Sequence, residues 1–578
     1  MRPPLAHSSL HSLRLRSSFS YRLFTANSIK RYSSLPPAPP SPPPLLPSST
    51  TPAAGEKPYF VTTPIFYVNA APHVGHLYTT VIADVIKRWQ GLLGRKALLC
   101  TGTDEHGMKV QQAALLAVKD PQEFCNEGAN SFKSLANQAF CSYDTFIRTT
   151  NPAHYDAVQY FWQMLRSRDY IYQGKHEGWY SVSDETFYPA SAIEHTLDQA
   201  TGQKIVVSRE TGKVVEWTSE TNYHFRLSSM APRLLEFYKQ NPAFVVPSAR
   251  YAEVVAAVEK GLDDLSVSRP RERLSWGIPV PNDDSQTIYV WLDALINYIT
   301  ASNYPWTPGF ESAGGWPADL HVVGKDIMKF HTIYWPAFLL ALDLPLPKQV
   351  LTHAHWTMSR KKMSKSDGNV VNPFYAIQRY GVDTMRFYMA HDGGINDDRD
   401  YSNEQIVERY RHELQFGLGN LVNRVCGIKF NIADACQEST KDVWDLYTRD
   451  RLMISHATTA AGEIAELMEA LDVPNALKAV MSLAHETNKY LQHAAPWTLT
   501  QGHQLREQNK IVFLSSECIR IAGILLQPFM PDKAKAILDQ LAVDKNKRTF
   551  EFASYGKDTT YGEGTRGKKG LIFPPLSE

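Results

Sequence analysis

Acidic residues are missing from the first 55 positions of this 578-residue chain, the first being Glu56. Cysteine is scarce: Cys100, Cys125, Cys141, Cys426, Cys436 and Cys518 are the six, and no two form a CxxC pair. That spacing excludes a cysteine knuckle for zinc and reads as free thiols in a reducing compartment. Apolar runs are short, stopping near Ala337–Leu342 and Ile519–Leu526, below the roughly 18 residues of a membrane-spanning helix. Net charge is also nearly absent, at +1 from 60 Lys and Arg against 59 Asp and Glu. That total averages over unlike segments. With 43% hydrophobic and 11% aromatic residues, the bulk can bury cores, and the length requires more than one domain.

The acid-free start holds Arg2, Arg14, Arg16, Arg22, Lys30 and Arg31, with twelve serines and 11 of the 36 prolines. Arg-rich and Ser-rich composition is that of an organelle-import segment, and Leu10, Leu13 and Phe19 offer it an apolar face. Arg31-Tyr32-Ser33 resembles the site cut by peptidases of the mitochondrial matrix. We therefore expect a targeting segment over 1–32 and a proline-rich linker over 33–56 that cannot pack a core.

Beyond it, Tyr59–Thr63 reads as a buried strand ended by Pro64, and Val81, Val85 and Trp89 continue a helical pattern after Gly75. Ala97–Cys100 is a second strand. This βαβ unit predicts an α/β fold: a doubly wound, Rossmann-type parallel sheet. Residues 172–222 turn polar and β-like, as an inserted connective module does, splitting the catalytic domain into 57–171 and 223–355. Sheet-like runs return at Thr287–Trp291 and His321–Val323. Residues 404–542 are helical with few prolines and predict an all-α bundle. A tail over 543–578 ends in apolar Leu571-Ile572-Phe573 and is suited to packing back.

Two motifs carry chemistry. His73-Val74-Gly75-His76 sits where the first strand hands over to its helix; the i,i+3 spacing places both imidazoles on one helical face, at the end where free N–H groups and the helix dipole suit an anion. Two imidazole donors there can stabilise charge growing on a phosphate. Alone, such turn histidines are more often structural. Lys362-Met363-Ser364-Lys365-Ser366 follows Arg360 and Lys361, with Gly368 beyond; cations among small residues make a loop able to close over polyphosphate. A pentapeptide of this kind arises by chance on the order of once in a thousand such chains or less.

Together these motifs resemble the HIGH and KMSKS signatures of class I aminoacyl-tRNA synthetases. Thr63–Asn69, Thr101–Gly107, Val290–Ala294 and Val323–His331 narrow the resemblance to the methionyl-tRNA synthetase family, organellar type, from about residue 58 to the end of the bundle. The resemblance implies activation of methionine by ATP to methionyl-adenylate and pyrophosphate, then transfer to the terminal ribose of methionine tRNA. It implies His73, His76, Lys362 and Lys365 as catalytic groups, with Gly75, Gly324, Asp326 and both lysines on ATP. Asp104 would take the substrate ammonium, and Ile65, Tyr67, Trp291, Ala294, Tyr298, Ile327 and His331 its side chain. The Tyr298 hydroxyl and the Ile65 amide would touch sulfur. Leu295 and Asn297 stand where bacterial relatives often carry Pro and Gly. Asn420 and Arg424, i,i+4 on one helical face, and Trp497 would read the anticodon by hydrogen bonds and stacking. Residues 356–403 would hold the KMSKS loop and the stem contact. Mg²⁺ is implied with the nucleotide. Ser181, Ser183, Asp184 and Glu185 stand where many relatives carry zinc-binding cysteines, so no metal is expected there. The implied setting is the mitochondrial matrix, with no membrane association, and a monomer is the preferred state.

The rival readings are another class I synthetase, a metal hydrolase built on His73, His76 and His106, and an inactive tRNA-binding protein. The first lacks room for an editing insert in 172–222 or a zinc thiolate set. The second lacks HExxH-type spacing and leaves 362–366 unexplained, and the third leaves both signature motifs intact without a use. Cutting after Tyr32 would take the net charge from +1 to −5, so cations must be grouped where a polyanion lies, at Arg360–Lys365, at Arg424 and in the tail.

Overall fold

Strand β1 (Tyr59–Tyr67) runs through Pro64 and does not end at it. Its ladder to β2 (Ala97–Asp104) shifts register between Thr62 and Ile65. Proline lacks an N–H, so a bulge is where a central strand tolerates it. Pairing then resumes, Ile65 opposite Gly102 and Tyr67 opposite Asp104. The bulge thereby carries Ile65 and Tyr67 to the same sheet end as Asp104. The computed structural model describes residues 57–576, apart from 183–185, 199–200, 308, 364–369, 442–443, 503 and 566–569. The targeting and linker segments expected over 1–56 lie outside the described residues.

Four further strands complete the sheet: β3 (Thr145–Arg148), β4 (Val245–Val246), β5 (Leu320–Gly324) and β6 (Gln349–His353). The order is β3-β2-β1-β5-β6-β4, and every pairing is parallel. Their near-continuous apolar character follows from helices on the faces. Helix α1 (Val74–Leu92) buries Val81, Val85 and Trp89 against the sheet. The run expected as strand at Thr287–Trp291 divides. A strand ends at Ile288, and Val290 opens helix α2 (Val290–Thr300). Nine of the α2 side chains are buried, and burial on all sides overrides the β-branched local preference.

The inserted module is an antiparallel pair, Ile171–Ser181 against Glu216–Phe225, with a hairpin of Ile193–Leu197 and Lys204–Ser208 beyond it. Among the described residues, no group of three His, Cys, Asp or Glu side chains could hold a metal. Ser181 lies in this sheet, whereas Ser183, Asp184 and Glu185 lie outside the described residues. The start of the lysine-rich loop is a hairpin. Trp356–Met358 pairs with Lys361–Lys362 across Ser359 and Arg360, both with φ above +50°, and the Arg360 N–H donates to Asp400.

Helix α3 (Val382–Asp392) links the sheet domain to the bundle. Arg386 on it is fully buried, pairs with Asp84 of α1 at 2.7 Å and donates to the Pro528 and Phe529 carbonyls. Burial pushes the Asp84 carboxyl up, but Arg386 and Arg88 hold it below the usual range. The bundle contains α4 (Asn420–Val425), α5 (Thr448–Glu469), α6 (Val473–Ala494), α7 (Gln504–Leu525) and α8 (Pro531–Gln540). A π-helical stretch, Tyr410–Gly419, precedes α4. In the tail, Ile572 and Phe573 are buried, and Tyr410 donates to the Pro574 carbonyl at 2.5 Å.

Candidate active site

A cavity of about 360 Å³ opens at the carboxyl end of the sheet, where open α/β folds take their ligands. Ile65, Tyr67, His73, Gly75, His76, Asp104, Trp291, Ala294, Tyr298, Gly324, Asp326, Ile327 and His331 all line it. Residues of β1, β2, α1, α2 and β5, and of the segment that follows β5 to His331, are brought to one space.

The two α1 histidines meet by a different route from the helical spacing. His73 is the N-cap, with φ −132° and ψ 174°, and so lies outside the helix. The Gly75 N–H donates to His73 Nδ1 at 3.0 Å, and the His73 N–H donates to His76 Nδ1 at 3.0 Å. This is a capping box with imidazoles in place of hydroxyl and carboxyl. Its consequence is chemical. Each Nδ1 accepts, so each neutral ring carries its proton on Nε2. The rings stack with centroids 3.8 Å apart, and burial, then the neighbouring His73, hold the His76 imidazole well below its ordinary pKa. A Cβ at Gly75 would lie 2.8 Å from the His73 ring, so glycine leaves the imidazole its place in the cap.

The aromatic wall is similarly determined. The His331 Nδ1 lies 2.9 Å from the Ile327 carbonyl, which can only accept. Burial lowers the His331 pKa to about 4, so the ring is neutral. Its Nε2 then accepts the Tyr298 proton at 2.7 Å. The hydroxyl expected to face sulfur therefore has its proton committed to His331, and must exchange that bond to donate elsewhere. Trp291 stacks on Phe330, 3.5 Å between centroids and 7° between planes. Asp104 is flanked by an anchored Glu105, which accepts from Arg148 at 2.7 and 2.9 Å and from Thr103 and Thr150.

Among the cavity residues that escaped the sequence reading are Thr79, His353 and His355. His353 Nε2 meets Thr79 Oγ1 at 2.8 Å, and burial lowers its pKa to about 4. His355 Nε2 lies 3.1 Å from Asp326 Oδ1. The signal was available: His353-Ala354-His355 closes a buried strand at the ligand end of the sheet. A Cβ on Gly324 would lie 2.7 Å from that same Asp326 oxygen, so glycine allows the carboxylate its place.

The lysines are only partly described. Lys362 pairs with Thr357 in the hairpin, its side chain being outside the described ones, and buried Met363 lines the cavity. Lys365 lies outside the described residues. The expected RNA readers form a separate group on the bundle. The Arg424 guanidinium sits 4.9 Å over the Trp497 ring and donates to Gln492 at 3.1 Å, and Asn420 is exposed one turn earlier. The left-handed Ala495, φ +44°, ends α6 and turns Pro496 and Trp497 back toward Arg424.

A Rossmann sheet with a histidine-capped helix at its ligand end, a lysine-rich hairpin beside it and a helical bundle behind is the architecture of class I aminoacyl-tRNA synthetases. Residues 59–426 match the family described as tRNA synthetases class I (M), and residues 445–563 match the anticodon binding domain of methionyl tRNA ligase. The chain is 52% identical to a probable mitochondrial methionine–tRNA ligase of Neurospora crassa, across 93% of this chain and 89% of that protein. It is 40% identical to the human mitochondrial methionine–tRNA ligase, across 91% and 92%. Mycobacterium tuberculosis methionyl-tRNA synthetase in complex with methionyl-adenylate superposes with a TM-score of 0.82 at 35% identity, covering 90% of this chain and all of that one. The chain belongs to the methionyl-tRNA synthetase family.

Proposed function

We propose that the cavity activates methionine with ATP and that the bundle presents the cognate tRNA for charging. The observation that carries this reading is the convergence in one cavity of the His73–His76 cap, the Asp104 carboxylate and the Trp291–Tyr298–His331 wall. Asp104 pairs with the substrate ammonium. Ile65, Tyr67, Ala294 and Ile327 join the aromatic wall around the thioether, a soft and polarizable group suited to aromatic contacts. The Nε2–H donors of His73 and His76 stabilise charge on the phosphates. Gly75 lets the backbone approach, and Gly324 and Asp326 hold the ribose. The methionine carboxylate attacks the α-phosphorus, the bond to the bridging oxygen breaks, and pyrophosphate leaves. The nucleophile is the substrate's own, so the protein positions it and stabilises charge. Lys362 and Lys365 close on the departing phosphates. Mg²⁺ is assigned to the nucleotide's polyphosphate, which supplies its oxygen ligands.

Asn420, Arg424 and Trp497 read unpaired anticodon bases, and 356–403 supports the stem. The Neurospora crassa and human relatives are mitochondrial, and the acid-free 1–32 segment fits delivery to the matrix, where we place the mature enzyme as a monomer. The inserted module, 172–222, is assigned no zinc. The boundaries at 57, 171, 223, 355, 404 and 542 are those we adopt for the catalytic halves and the bundle.

ATP–pyrophosphate exchange with each of the twenty amino acids, with and without a zinc chelator, tests this. Methionine alone should support exchange, undiminished by the chelator. Exchange driven by another amino acid, or by none, overturns the assignment.

A further inference from the structure

Behind the cavity wall lie three buried ionisable side chains that have no role in the reaction described above. Asp293 on α2 is 0% exposed. Its Oδ2 lies 2.6 Å from His106 Nδ1 and its Oδ1 lies 2.8 Å from His154 Nε2. Both histidines are buried, and their outer nitrogens are engaged as well: His106 Nε2 with the Tyr155 hydroxyl at 3.0 Å, His154 Nδ1 with the Thr300 hydroxyl at 3.1 Å. Packed apolar side chains would often stabilise a core as well as such a cluster does, because removing charges from water is costly. Its directionality is what an apolar core would lack.

The Asp293–His106 bond joins segments 187 residues apart. His106 is two residues beyond Asp104, in a turn whose other member, Glu105, is bolted to Arg148 of β3. Asp293 sits between Trp291 and Ala294 on α2, the helix that also carries Tyr298. One bond thus connects the carboxylate end of the cavity to its aromatic end, and neither partner lines the cavity itself. We propose that Asp293 and His106 are positioning residues that fix the span between the ammonium site and the thioether site, and so set which amino-acid length is accepted. This rests on the assignment of Asp104 and the α2 aromatics to methionine.

The test uses pyrophosphate exchange by the full-length enzyme, reading KM for methionine, KM for ATP, and kcat/KM for methionine over S-methylcysteine and ethionine. Asp293→Asn and His106→Ala should each raise KM for methionine about tenfold or more, the scale of a lost charged hydrogen bond. KM for ATP should stay within about twofold, and discrimination against both analogues should fall several-fold, as one methylene's recognition is worth about 10- to 200-fold. His106→Asn retains an N–H donor near the Nδ1 position and should restore most of the preference that His106→Ala loses. His154→Gln disturbs the other oxygen of Asp293, whose partner lies on Pro152–Ser167, and should lower the melting temperature while leaving discrimination intact. If Asp293→Asn does not fold, the His106 pair decides. Equal behaviour of His106→Ala and His106→Asn, parallel rises in both KM values, or unchanged discrimination would overturn the proposal. Failure of the wild type to require methionine would instead defeat the underlying site assignment.

Discussion

The cavity and the surface proposed to read the anticodon are built in opposite ways. At the cavity several groups are fixed from behind: the Asp104 backbone by a strand ladder, His73 and His76 by backbone N–H donors, Tyr298 by His331. On the bundle, Asn420 is exposed, Arg424 lies over the Trp497 ring and donates to Gln492, and Trp497 rests half-buried on the core. The difference matches the ligands proposed for the two regions. A transition state must be met by dipoles already in place, since reorganisation during the reaction costs rate. An unpaired RNA loop arrives flexible, and adaptable side chains on a firm helix can close on it.

If the regions are independent in this sense, damage to one should leave the other's assay intact. The largest effect is expected at Asp104. Asp104→Asn removes the buried carboxylate proposed to pair with the ammonium and should lower kcat/KM for methionine in exchange about 10²- to 10³-fold, with tRNA affinity by filter binding unchanged. Lys365→Ala comes next. Single-turnover adenylate formation should slow about 10²-fold while methionine affinity is retained, and an unchanged rate would remove Lys365 from the catalytic set. On the other side, Arg424→Ala should weaken charging about tenfold through kcat/KM for tRNA, leaving exchange at the wild-type level.

Acid should also separate the regions. Burial depresses His331 and His353 to about 4, so between pH 4 and 6.5 the unfolded chain binds protons that the folded cavity refuses. Their contribution is present above about 6.5 and is lost as the pH falls toward 4, on the order of 2 kcal/mol per histidine by pH 5. His485 on α6 has the opposite sign. Its hydrogen bond to Glu413 raises its pKa, so its contribution is present below about 6.5 and fades as pH rises; the ring is partly exposed and the effect is small. Melting curves from pH 5 to 8 should show the acid loss in the wild type and a shallower loss in His331→Gln. An identical slope in both would contradict the buried-neutral state of that ring.

Much of this was legible in the sequence because the relevant signals are local. The two signature motifs, the Thr101–Gly107 turn and the Asn420–Arg424 spacing each occupy a few consecutive residues. What escaped depends on partners far along the chain or on backbone detail. The Pro64 bulge needs the β2 register to be seen, since proline by itself reads as a stop. The imidazole capping box places His73 outside the helix that spacing alone would put it in. The Asp293–His106 bond spans 187 residues, and no periodicity announces it. The hairpin at Ser359-Arg360 requires positive φ at two residues that are not glycine, which local propensity disfavours and the Asp400 contact offsets.

The division of labour is tested most directly by one preparation of Trp497→Ala assayed in parallel for methionine-dependent pyrophosphate exchange and for tRNA charging. Separate sites predict exchange close to wild type and charging reduced about tenfold to a hundredfold or beyond, the scale of lost base stacking. Equal loss of both activities, or charging at the wild-type level, would contradict it.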